Sequence, residues 1–198
     1  MPFWFVHDLG EALYTPMVLA RTNGSAAVLG QIGIAAGIGG VTGAIVVSIW
    51  GGFKQPIRGV LSGMIGAGLS KMTVGLGRVP QVWLPAQFCS SCNFPLMNSS
   101  ETAIWMTRVN PEAQERVFAA NSVLTQCFSA LAALVAGPLG DRVVEPAMTS
   151  STGLARWLGG IFGSSSGAGF ALIYTTCALS MIAIGLCGYF FYKFKEHT

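Results

Sequence analysis

Charged residues are scarce in this chain: Asp, Glu, Lys and Arg make up 10% of its 198 positions, against roughly a quarter in a soluble globular domain. An ordinary soluble fold is excluded, because too few polar side chains are present to clothe its surface. Runs of one charge are lacking as well. The 11 lysines and arginines are scattered singly and leave a net charge of +3, so there is no electrostatic footprint for nucleic acid. Neither a P-loop nor a G-x-G-x-x-G occurs, which removes nucleotide binding and hydrolysis by those routes. Histidine occurs only as His7 and His197, at opposite ends of the chain, whereas a membrane enzyme needs a compact group of His with carboxylates or Ser with His. We therefore expect no enzyme and no cofactor. A disulfide framework is missing too. Cys89, Cys92, Cys127, Cys177 and Cys187 each lie in an apolar stretch, and the C-x-x-C spacing of Cys89 and Cys92 falls in mid-span rather than at a wet helix N-terminus. No metal site is expected. The opening residues have no basic n-region and no small-residue cleavage site, so the first apolar span, or something upstream of it, has to act as the insertion signal.

What the chain has is apolar length. Hydrophobic residues make up 52% of it, 26 positions are glycine and the mean hydropathy is +0.59. Several stretches approach the roughly 20 residues that a bilayer-spanning helix requires. The expected fold is an all-α integral membrane protein crossing the bilayer six times, near residues 2–19, 26–50, 59–77, 81–105, 117–139 and 168–192, as one half-bundle over residues 1–198. The first span looks clipped at its start. An outer loop, 140–167, contains Leu154-Ala-Arg-Trp-Leu158, which reads as a short amphipathic turn lying flat at the interface. Lys54, Arg58, Arg108, Arg116, Lys193 and Lys195 fall on one side of these spans, and Arg21, Arg78, Arg142 and Arg156 fall on the other. Basic links gather on the cytoplasmic side, which places both termini inside.

Ionisable residues inside a membrane cost roughly 3 kcal/mol each on insertion scales and are functional suspects by default. Asp8 and Glu11, at i and i+3 with His7 beside them, share one helical face and form a candidate proton or cation site. The plain alternative is the wet end of a truncated span. Lys71 is expected to snorkel to the interface, with pairing to a carboxylate as the alternative. Glu101 closes the fourth span within reach of Arg108 and Arg116, and a structural ion pair is the expectation there. Pro80, Pro85 and Pro95 punctuate the same span, and proline frees carbonyls and kinks a helix. With Gln87, Asn93 and Asn98, and with Gln126 on the fifth span, it forms either the lining of a substrate path or an interhelical hydrogen-bonded glue. Gly33 and Gly37, and Gly39 and Gly43, stand four apart on the second span. Such pairs make a flat face for close backbone approach, with Ser62, Gly63, Gly66 and Gly68 on the third span as the expected partner.

Two further stretches carry a family likeness. Asn110-Pro-Glu-Ala-Gln-Glu-Arg-Val-Phe-Ala119 and Ala136-Gly-Pro-Leu-Gly-Asp-Arg-Val-Val-Glu-Pro-Ala-Met148 bracket a single span. The chain resembles the major facilitator superfamily, in particular the drug and siderophore efflux branch with its macrolide-efflux and enterobactin-exporter proteins. Tyr14-Thr-Pro-Met-Val-Leu-Ala-Arg-Thr22 and the Gly51-Gly-Phe-Lys54 linkage look like that branch too. The resemblance implies a twelve-span transporter of two six-helix halves, with this chain equivalent to the C-terminal half, spans seven to twelve, and the N-terminal half absent. It further implies a multi-pass protein of the bacterial inner (plasma) membrane, an antiporter that expels small amphipathic molecules using the proton-motive force. In that frame Glu101 and Arg116 form a cytoplasmic lock, and the partners are the lipid bilayer, the substrate, and the missing half or a second copy. Two features depart from the pattern. The cytoplasmic G-x-x-x-D-R-x-G-R-R loop is reduced to Gly51, Lys54 and Arg58, and the residue before Arg116 is Glu115 instead of glycine. The rival expectation is a non-transporting remnant or a six-span scaffold that binds a partner through its glycine faces.

Overall fold

The structure is a computed structural model and describes residues 2–150 and 153–196; His197 lies outside the described residues. Those residues are mostly helical, with no strand among them. Six long helices run α1 (Pro2–Arg21), α2 (Ala26–Trp50), α3 (Pro56–Leu76), α4 (Pro80–Arg108), α5 (Pro111–Leu139) and, after two short ones, α8 (Ala168–Glu196). Their starts are written locally. Ser25 caps α2 by accepting from the Val28 amide, and α3, α4 and α5 each begin with a proline, whose missing N–H costs nothing in the first turn. Gly51 ends α2 in the left-handed region at φ 79°, a conformation that glycine adopts without penalty.

Four segments are long and apolar enough to cross a membrane: α2, α3, the continuous helix Pro111–Thr149 and Ala168–Lys193. The helices α1 and α4 match them in length. They fall short in hydropathy because α1 carries His7, Asp8 and Glu11, and α4 carries the Gln, Asn and Ser series.

Two expected boundaries move. The gap expected between the spans 81–105 and 117–139 contracts to Val109 and Asn110, since α4 runs to Arg108 and α5 starts at Pro111. The expected outer loop 140–167 is mostly helical: a π-helical segment Gly140–Val144 follows Pro138, leading into α6 (Glu145–Thr149) and then α7 (Leu154–Phe162). Proline lacks the N–H of the regular ladder, and a wider turn re-routes the carbonyls it frees. On α7, Trp157 and Ile161 stand one turn apart and exposed, as an interfacial helix requires.

The helices pack in the spatial order α2, α4, α3, α8, α1, α5, with α4 wedged between α2 and α3 and α8 wedged between α3 and α1. One apolar cluster gathers Leu13, Met17, Val74, Trp83 and Tyr174, and a second gathers Phe3, Val60, Ala67, Met97 and Met181. At one end of the bundle Arg21 donates to the carbonyls of Gly77 and Phe162, and Arg78 donates to those of Gly160 and Ile161. These bonds tie α7 to the ends of α1 and α3. Burial, and then the neighbouring Arg78, bring the Arg21 guanidinium down to about 10 against the opposing pull of Glu145, which leaves it charged at neutral pH. At the other end Lys54, Arg108 and Tyr192 line one cavity. Arg21 and Arg78 therefore lie at one end of the bundle and Lys54 and Arg108 at the other.

Glu145 has a role that nothing in its local sequence announces. Its carboxylate accepts from the backbone amides of Gly167, Gly169 and Phe170 and so caps the start of α8, where the helix dipole favours an anion. A Cβ at Gly169 would meet the Glu145 backbone at 2.5 Å. Glycine is needed there for the cap to close.

Candidate functional site

The first half of the site is a buried ion pair. Lys71 on α3 is 3% exposed and its ammonium donates to Glu11 Oε1 on α1. This corrects the expectation that Lys71 snorkels. Its stem lies between Ala67 and Val74, both fully buried, and an ammonium enclosed by apolar side chains has to find a counter-charge within the protein. Around it, Tyr174 OH stands 3.5 Å from Nζ, and the rings of Phe94 and Tyr174 lie 5.9 and 5.5 Å from it, inside the range of cation–π attraction. Glu11 is the more open partner, with its side chain 37% exposed. Asp8 makes a different contact, a 2.9 Å bond between its Oδ1 and His7 Nδ1. The expected pairing of Asp8 with Glu11 as one site thus resolves into two linked pairs on one face, with His7 stacked edge-on against Phe94 at 5.2 Å.

The second half is a cleft of about 390 Å³ between α4 and α5, closed on one side by Trp4 of α1. Asn98, Glu101, Thr102 and Trp105 come from α4, and Phe118, Asn121, Ser122, Thr125 and Gln126 come from α5. The two helices touch only slightly, which is why their facing polar rows leave room. Trp4 joins the halves: its ring stacks 6.5 Å from Phe94 and meets His7 at 5.6 Å. An aromatic bridge therefore runs from the cleft wall to the lysine.

Of the expected lining, Asn98 and Gln126 face this cleft. Asn93 does not. Its amide lies against Gly66 of α3 and its Nδ2 donates to the Cys89 carbonyl at 2.7 Å, a packing role. Gln87 is half-buried and its Oε1 has no hydrogen-bond partner among the described residues, so it contributes a polar atom inside the bundle, away from the cleft. Glu101 lines the cleft, but no ion pair among the described residues joins it to Arg116, which is exposed. The expected lock is not closed here, because the α4–α5 gap separates its two members.

The glycine expectation divides as well. Gly39 and Gly43 are buried against α4, and a Cβ on either would meet the backbone carbonyls of Phe88 and Cys92 at 2.3 and 2.4 Å. Gly33 and Gly37 have nothing within 4 Å. The partner of α2 is α4 rather than the expected α3. On α3, Gly59, Gly63 and Gly66 turn to α4, and Gly68 and Gly75 turn to α8.

Lys71 is the residue that sequence reasoning placed wrongly. A lysine six residues inside the end of an apolar helix reads as interfacial, and only a carboxylate on a helix 60 positions away decides otherwise. Compared with protein-family models, with curated proteins and with solved structures, the chain finds no match in any of the three.

Proposed function

We propose that this chain is a six-span integral membrane half-bundle of a secondary transporter, equivalent to the C-terminal half of a major facilitator superfamily fold, and that it exports small amphipathic molecules from the cell at the expense of a proton gradient. The observation that carries the reading is the cleft between α4 and α5. It joins amide, hydroxyl and carboxylate groups to the indoles of Trp4 and Trp105, a mixed polar and aromatic lining suited to an amphipathic guest. A buried ion pair lies one aromatic contact away. Intramembrane charges and a polar, proline-punctuated helix are what a substrate path and a coupling site require. The two basic ends support a multi-pass topology in the cell membrane. A second six-helix unit, the N-terminal half or a second copy, completes the path against α2 and α5, whose spans are buried over only 17% of their apolar windows.

Accumulation of a fluorescent amphipathic dye in cells making the chain tests this reading. Lowered accumulation that an uncoupler restores supports transport. Glu101→Gln is expected to weaken efflux severalfold while leaving insertion intact. Accumulation identical with and without the chain favours the scaffold reading, for which the open Gly33 and Gly37 face of α2 is the specific support.

A further inference from the structure

The Lys71–Glu11 pair is asymmetric. Lys71 is held on all sides, by Glu11 Oε1, by Tyr174 OH and by the rings of Phe94 and Tyr174. Glu11 is held at one oxygen only. Its Oε2 has no hydrogen-bond partner among the described residues, and its side chain is the open end of the pair. The helices also differ in how they are joined: α1 and α3 each pack along α8, while they are not packed along one another. Lys71 reaches across this gap. The pair sits at the level where the two apolar clusters meet, between Phe3 and Leu13 on α1 and between Ala67 and Val74 on α3.

We infer that Lys71 is the fixed counter-cation of a proton-operated latch between α1 and α3: it holds Glu11 ionised inside the bundle, and the latch opens when the Glu11 carboxylate takes a proton at its open oxygen, not when Lys71 withdraws. The step is simple to balance. A proton from water at the open face binds the carboxylate and makes a neutral acid, and the Nζ···Oε1 ion pair becomes at most a hydrogen bond. Lys71 keeps its charge and its aromatic neighbours. The groups facing the pair are His7, Asp8 and Tyr14 on α1, Tyr174 and Cys177 on α8 and the Phe94 ring on α4; α5 has no charged residue between Arg116 and Asp141. Asp8 is the remaining carboxylate on that face, one turn from Glu11 and held by His7.

The inference rests on the bundle lying in a bilayer and not on its carrying a substrate, so its test does not use transport. An apolar carbodiimide, N,N′-dicyclohexylcarbodiimide, reacts with protonated carboxyls in apolar surroundings. The full chain in lipid vesicles is treated across pH 5 to 8, and modification of Glu11, as the acylurea or as an isopeptide to Lys71, is located by mass spectrometry. In the native chain modification is expected to be low at pH 7.5 and to rise at least tenfold by pH 5.5. Lys71→Met removes the counter-charge, and Glu11 is then expected to react strongly at pH 7.5, while Lys71→Arg keeps the native profile. Equal modification of native Glu11 at both pH values overturns the latch. So does a Lys71→Met profile that overlays the native one. Should Lys71→Met fail to insert, the native profile decides alone. Vesicles that show no dye transport but retain the expected profile would reject the transport reading and leave the latch standing.

Discussion

Helices α2 and α3 share a composition and differ in fate. Both are rich in glycine, yet every glycine of α3 stands against a neighbour: Gly59, Gly63 and Gly66 face α4, and Gly68 and Gly75 face α8. On α2 only Gly39 and Gly43 are covered, and Gly30, Gly33, Gly37 and Gly40 have open space around them. Half of the apolar window of α3 is buried, against 17% of that of α2. A glycine pair therefore states that a backbone is able to approach, and the third dimension decides whether one does. The same contrast separates the central helices α3 and α8 from the flanking helices α2 and α5. It sorts the charges as well, since the paired lysine lies on a central helix and Arg116, exposed and without an ion pair among the described residues, lies on a flank.

The strongest way to break the contrast is at the central ion pair. Lys71→Met leaves Glu11 without a partner, and removing one member of a buried pair costs roughly 3–5 kcal/mol, with the partial exposure of Glu11 placing the effect at the low end. The double variant Lys71→Met, Glu11→Gln is expected to recover most of that loss. A double-mutant cycle on thermal unfolding in detergent measures the coupling, and purely additive losses would mean that the pair does not hold α1 to α3.

Close backbone contact comes next. Gly43→Leu forces a side chain into the Cys92 carbonyl and is expected to cost about 1–3 kcal/mol or more, read as a lowered midpoint of thermal aggregation. Unchanged stability would show that α2 does not lie against α4. A smaller effect is expected at the α8 cap: Glu145→Ala withdraws three acceptor contacts and should cost about 0.5–2 kcal/mol, visible as faster hydrogen exchange at Gly167, Gly169 and Phe170. Exchange confined to α6 would argue against the cap. The smallest effect belongs to the open flank, where Gly37→Leu is expected to stay within about 0.5 kcal/mol of the native chain, as surface changes do. A large loss there would mean that a partner already covers this face, and size-exclusion chromatography of the native chain would reveal it.

Much of this was legible along the chain because the forces involved act over a few residues. Scarce charge and long apolar stretches announce helices of membrane length. Ser25, Pro56, Pro80 and Pro111 mark helix starts, and Gly51 marks an end, because a cap or a proline speaks only to its own turn. The i, i+3 spacing of Asp8 and Glu11 places both on one face of α1, and of the polar series Gln87, Asn93, Asn98 and Gln126 the last two face the cleft while the first two do not. Tertiary structure alone decided the partners. Lys71 reads as an interfacial residue until α8 brings α3 beside α1. Glu101 and Arg116 read as a pair until α4 and α5 diverge, and Glu145 reads as a loop residue until the start of α8 arrives at its carboxylate. Periodicity tells which residues share a face. Which faces meet depends on helix rotation and spatial order, set by the sum of many distant contacts, and no short stretch of sequence contains that sum.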